Sequence, residues 1–201
     1  MGYSAASRAA YPCGYQSGTS SQALGVDQAR QAVEGYLANL NNDDLQIAEI
    51  MVFDNNAYAR ITEKSTGIGA MELLVDPATL EVYPEYGPNR MWNLKYGQMD
   101  GYGMMGRRGG MMGYGYDDRY AANVSGEDMS VSAEQALQFA QEYLDQHFSG
   151  YQTAEDADAF YGYYTIDILK DGAPTGMLSV NGYSGQVFLH TWHGNFIEMV
   201  E

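Results

Sequence analysis

One order of elements is legible twice in this sequence, and that repetition restricts the fold more than any other feature. In the first pass, apolar residues fall at Ala29, Ala32, Val33, Tyr36, Leu37 and Leu40. That spacing marks one face of a 3.6-residue helical period. Asp27 is placed to cap the helix, and Asn41-Asn42-Asp43-Asp44 ends it. Residues 45–53, 57–62 and 69–75 read as strands, with Asp54-Asn55-Asn56 as a turn. Asp76-Pro77-Ala78-Thr79 then turns the chain into a short strand at 81–83. In the second pass, Ser132 and Gln135 form a capping box. Ala136, Leu137, Ala140, Tyr143, Leu144 and Phe148 make the apolar face. Strands follow at 159–168, 176–180 and 186–191, with turns at Lys170-Asp171-Gly172 and Asn181-Gly182-Tyr183-Ser184-Gly185. Ala29, Tyr36 and Leu37 recur 107 positions later as Ala136, Tyr143 and Leu144. Val75 and Val82 recur 105 positions later as Val180 and Val187, so a two-residue gap lies in an intervening loop.

The two passes leave two segments over. Residues 1–25 form an arm rich in Ser, Ala, Gly and Tyr. Residues 99–129 form a linker whose stretch 99–118 holds seven Gly, five Met and three Tyr. The expected organisation is an arm at 1–25, a domain at 26–98, the linker at 99–129 and a second domain at 130–201. The 201 residues suffice to bury a real core. With 10 basic against 26 acidic residues the net charge is −16, which argues against a nucleic-acid binder. No run of 18 apolar residues occurs, so no transmembrane helix is expected.

The terminal hairpin of each pass carries a resemblance. The second reads Val180-Asn181-Gly182-Tyr183-Ser184-Gly185-Gln186-Val187, and the first Val75-Asp76-Pro77-Ala78-Thr79-Leu80-Glu81-Val82. A helix, three or four antiparallel strands and a hairpin of the form V-D-x-x-T/S-G-x-V resemble the PepSY domain family. Leu80 departs from the pattern where the family usually has glycine. The resemblance implies an α+β fold of two units, each a helix packed on a curved antiparallel sheet of three to four strands. It also implies an exported or membrane-facing setting and a binding, inhibitory or structural role without catalysis. The family has no shared catalytic residues to carry over.

The residues themselves assemble no reaction centre. Neither G-x-S-x-G, H-E-x-x-H nor a P-loop occurs, and no cofactor is expected. Gly101-Tyr102-Gly103-Met104-Met105-Gly106 matches G-x-G-x-x-G by chance, since neither a buried strand nor a helix flanks it. Cys13 is the single cysteine, which excludes an internal disulfide; it serves as a loop residue or a bridge between subunits. Asn123-Val124-Ser125 is a glycosylation sequon. Met104, Met105, Met111 and Met112 are candidate Cu(I) thioethers, against the commoner use of methionine as pliable packing. His190 and His193 are candidate ligands only if the chain turns near Thr191, because positions i and i+3 of a strand face opposite ways. Otherwise they are surface or stacking histidines. Glu155-Asp156-Ala157-Asp158 and Asp117-Asp118 lack calcium-loop spacing; they are solvated faces or loose sites for divalent cations.

Charge is distributed more tellingly. Residues 1–26 and 101–116 contain no Asp or Glu but carry Arg8, Arg107 and Arg108. Bodies at −16 repel, whereas soluble small domains commonly carry about 2–8 charges. Arms free of acid can bridge them. Tyr3, Tyr11, Tyr15, Tyr102, Tyr114 and Tyr116 would supply contact area, and the three arginines charge-assisted hydrogen bonds. The sequence thus predicts a non-enzymatic structural subunit of an extracellular homopolymer, its signal peptide already removed. The alternative is a monomeric periplasmic binding module, taking copper through Met and His or regulating a peptidase.

Overall fold

The computed structural model describes residues 24–97 and 129–200. They form a mixed α/β fold: three helices and one open sheet of ten strands. Helix α1 (Val26–Leu40) precedes β1 (Leu45–Phe53), β2 (Ala57–Glu63), β3 (Gly69–Val75), β4 (Val82–Pro84) and the short α2 (Pro88–Met91). Helix α3 (Ala133–His147) precedes β5 (Tyr151–Thr153), β6 (Asp158–Phe160), β7 (Tyr163–Lys170), β8 (Ala173–Asn181), β9 (Val187–Leu189) and β10 (Phe196–Val200). None of the described helices is long and apolar enough to cross a membrane.

Both helices pack the faces their periodicity predicts. Ala29 and Val33 are buried with Ile50, Val52, Ala59, Ile61 and Leu73. Ala136, Ala140 and Leu144 are buried with Tyr164, Ile166, Leu178 and Val180. Ser132 and Gln135 form the expected capping box on α3. The cap of α1 is Gly25 rather than Asp27, with Gln28 Oε1 accepting from the Gly25 N–H at 3.4 Å. Leu24 is buried in the same cluster as Ala29, and this apolar anchor sets where the chain enters the helix. Asp27 remains in the first turn, where its charge suits the positive end of the helix.

The strand order is β10-β1-β2-β3-β6-β7-β8-β9, with β4 on β3 and β5 on β7. The strands expected in two units of three to four each thus lie in one continuous sheet. The halves join through one parallel pairing, Gly69 with Phe160. The close approach requires glycine: a Cβ at position 69 would meet the Phe160 ring within 2.4 Å, and that ring is held by stacking on Tyr163. The tail then recrosses, and β10 pairs antiparallel with β1 from Ile50–Val200 to Phe53–Phe196. Each half thereby covers edges that would otherwise expose unpaired backbone groups. The strand expected at 159–168 is broken at Tyr161, whose hydroxyl donates to Glu63 Oε2 at 2.6 Å. The sheet folds back on itself, so that Tyr163 and Thr165 of β7 bond Glu72 of β3. Met51, Phe53, Tyr58, Leu74 and Met177 form a third apolar cluster, with Trp192 and Phe196 packed against it.

The two terminal hairpins are bonded alike. Asp76 N–H donates to Glu81 C=O and Leu80 N–H to Asp76 C=O, as Asn181 N–H does to Gln186 C=O and Gly185 N–H to Asn181 C=O. Asp76 Oδ1 accepts from the Ala78 and Thr79 N–H groups, and Asn181 Oδ1 from those of Tyr183 and Ser184. Leu80 has φ 60° where Gly185 has φ 71°, so leucine adopts the left-handed turn that glycine occupies in the second copy. Leu80 is 42% exposed and gives the core little in return. Left-handed backbone costs a non-glycine residue about 1–2 kcal/mol, against ~0.5–1 kcal/mol of chain entropy for glycine. Leu80→Gly is therefore expected to stabilise the protein by about 0.5–1 kcal/mol. Chemical denaturation reads this directly, and a lowered midpoint would contradict it.

Candidate functional site

Two equivalent backbone steps bring the site together. Just beyond β4, Glu85 N–H donates to Glu72 C=O at 2.9 Å; just beyond β9, His190 N–H donates to Met177 C=O at 3.1 Å. Glu85 and His190 are 105 positions apart, as are Glu72 and Met177, which is the offset of the repeat. One functional side chain thus arrives from each half of the chain.

His193 arrives by a bend. Strand β9 ends at Leu189, short of the expected 191, and the chain bends at Trp192. Asn55 and Asn56 hold that bend, each donating its side-chain amide to Trp192 C=O at 3.0 Å. Asn55 Oδ1 accepts from Gly194 N–H at 2.7 Å. Trp192 Nε1 donates to Glu85 Oε1 at 2.8 Å. The condition for His190 and His193 to converge is met: His193 Nε2 lies 2.9 Å and His190 Nδ1 3.6 Å from Glu85 Oε1. His190 stacks on Trp192 and His193 on Phe53.

The surrounding hydrogen bonds settle which ring nitrogens carry protons in the neutral imidazoles. Tyr58, Tyr163 and Thr165 each donate a hydroxyl to the Glu72 carboxylate, at 3.0, 2.8 and 2.8 Å. Thr165 has then spent its only hydrogen, so at the 3.1 Å contact Ser179 is the donor. Ser179 Oγ is left to accept from His190 Nε2–H at 2.9 Å. Asn56 donates its amide nitrogen to Trp192, so its oxygen accepts from His193 Nδ1–H at 3.2 Å. His190 Nδ1 and His193 Nε2 therefore turn lone pairs toward Glu85.

These facing atoms are sealed from solvent. Side-chain exposure is 0% for Glu85 and His190 and 1% for His193. Glu85 Oε2, His190 Nδ1 and His193 Nε2 have no hydrogen-bond partner among the described residues; the 2.9 Å contact is close without hydrogen-bond geometry. Burial alone would raise the Glu85 carboxyl, but the His190 and His193 rings outweigh it and hold it down at about 2. Burial disfavours the charged His190 ring, yet Glu85 and Glu72 draw its pKa upward. Glu72 is pushed up to about 7, first by burial and then by Glu85. Three acceptors aimed at one another are an arrangement that a cation completes, as a proton on imidazole or as a metal ion.

Other predicted residues lie elsewhere. His147 ends α3 and packs beside Tyr143. Asp158 of the acidic run accepts from Arg60 Nη1 at 2.5 Å. Tyr3, Arg8, Tyr11, Cys13, Tyr15, Tyr102, Met104, Met105, Arg107, Arg108, Met111, Met112, Tyr114, Tyr116, Asp117, Asp118 and Asn123 fall outside the described residues. Sequence reasoning missed Glu72 and Glu85. Glu72 carried a signal, a lone acid within an apolar strand; Glu85 carried one only through its place in the repeat, opposite His190. Comparison with protein-family models, with curated proteins and with solved structures found no match.

Proposed function

We propose that the protein is a non-enzymatic extracellular structural subunit, two PepSY-like units in tandem that self-assemble through sheet edges and arms. The observation that carries this reading is the outer edge of the sheet. Strand β10 ends the strand order, and Ile197 and Met199 upon it are 46% and 39% exposed. Among the described residues no strand pairs beyond β10; an apolar edge strand is a template for another chain, and a head-to-tail contact that does not close yields a filament or tube. The acid-free arms add a means of holding strongly anionic bodies together. The like-bonded hairpins favour descent of both units from one ancestor, and the sealing of the Glu85 cluster favours a role other than turnover.

Deletion of residues 1–25, and separately the pair Ile197→Lys and Met199→Lys, test the reading. Light scattering and electron microscopy are expected to show wild-type polymers and dispersed particles for both variants. A dispersed wild type, or polymers of undiminished size in both variants, would sink it. A second reading, a monomeric binding module, is favoured by the convergence of His190 and His193 on Glu85.

A further inference from the structure

We propose that Glu85, His190 and His193 bind one divalent transition-metal ion of the zinc class, which ties the second half of the chain to the first. The site would lie inside a single chain, so the inference stands for a polymer and a monomer alike.

Geometry is the first support. One donor atom from each residue lies within 4.8 Å of the others. The separations of 3.6 and 2.9 Å from Glu85 Oε1 bracket the edge of about 3.4 Å expected for tetrahedral ligands with bonds of ~2.1 Å. Glu85 Oε2, free of other partners among the described residues, offers a second carboxylate oxygen.

The outer partners are the second support. Ligating histidines characteristically donate their other ring N–H to a fixed acceptor, which sets tautomer and orientation. Here Ser179 takes the His190 proton at the end of a chain reaching Glu72, and Asn56 takes the His193 proton. In the neutral rings both lone pairs are thus presented inward.

Charge and donor type decide the class of ion. Glu72 and Glu85 are both buried, and a dication balances two carboxylates where a single imidazolium balances one. Two imidazoles and a carboxylate suit Zn²⁺, whereas Ca²⁺ and Mg²⁺ favour oxygen and Cu(I) favours sulfur. Because the three side chains are sealed and come from both halves, the ion would act as a staple rather than as a catalyst.

The test uses the full chain, stripped with a chelator and titrated with Zn²⁺ against a chromogenic competitor. One equivalent is expected to bind and to raise the melting temperature. Glu85→Gln and His193→Asn should each weaken binding at least about 100-fold, and Ser179→Ala about 10–100-fold. Substituting Met104, Met105, Met111 and Met112 with Leu should leave it unchanged. Since ligand variants can fold poorly, the wild type supplies an independent readout. On adding Zn²⁺, ¹⁵N NMR should show metal on Nδ1 of His190 and Nε2 of His193, and Co²⁺ should give the visible bands of a four-coordinate site. A wild type without stoichiometric Zn²⁺ uptake, or whose histidine signals show only a shared proton, would overturn the proposal. So would equal affinity in Glu85→Gln and His193→Asn variants that fold.

Discussion

Glu72→Ala is expected to destabilise the protein by about 3–5 kcal/mol, the loss typical of removing one member of a buried charged network. Glu72 is fully buried in the middle of β3, and three hydroxyls from β2 and β7 end on its carboxylate. Alanine would leave the Tyr58, Tyr163 and Thr165 hydroxyls without that acceptor, in a site closed to water. Backbone contacts would be undisturbed, since the Glu72 N–H and C=O bond to Asn89 and not through the side chain. Glu72→Gln should cost less, about 1–2 kcal/mol, because one oxygen still accepts while the new amide opposes hydroxyl donors. Urea denaturation at pH 7 measures both. A loss below about 1 kcal/mol for alanine would mean that the network holds little. A second check is coupling: Tyr163→Phe should cost almost nothing in the Glu72→Ala background.

Stability is expected to peak on the acid side of neutrality, near pH 4–5, for two opposed reasons. The buried Glu63 carboxyl accepts from Lys95, Tyr96, Tyr161 and Thr66. Burial alone would raise its pKa, but these donors together hold it down at about 2, from an ordinary value near 4.5. A depressed carboxyl stabilises the fold above its unfolded pKa. About 3 kcal/mol is therefore lost as pH falls from 4.5 toward 2. Asp167 runs the other way. Burial, then the neighbouring Glu49 and Asp158, push it up to about 7, while Arg60 is already bonded to both of those carboxylates. Its stabilising protonated form is complete below the unfolded pKa near 4 and is lost as pH rises toward 7. Asp167→Asn should thus gain about 1–2 kcal/mol at pH 8, allowing for solvent screening, and nothing near pH 3.5. Denaturation across pH 2–8 checks both limbs; a wild-type maximum above pH 7 would refute the assignment.

Local structure was readable where short-range physics decides it. The helices follow from apolar residues at helical spacing, and Ser132 with Gln135 makes its cap from four consecutive positions. The hairpin turns follow from Asp76 and Asn181, whose side chains bond the N–H groups two and three residues ahead. Leu80 shows that hydrogen bonding can hold a turn through a residue its backbone disfavours. Strand β10 was missed because only its pairing with β1, from far along the chain, makes it a strand.

The candidate site divides along the same line. The sequence by itself determined the donor types, the spacing of His190 and His193, and the repeat offset that pairs His190 with Glu85. Those are properties of neighbours and of periodicity. Only the tertiary structure decided that the chain bends at Trp192, that Asn55 and Asn56 pin the bend from the opposite half, and that three acceptors meet without solvent. Such convergence is set by contacts between residues more than a hundred positions apart, whose energies depend on burial and direction. Composition, charge and local spacing carry neither.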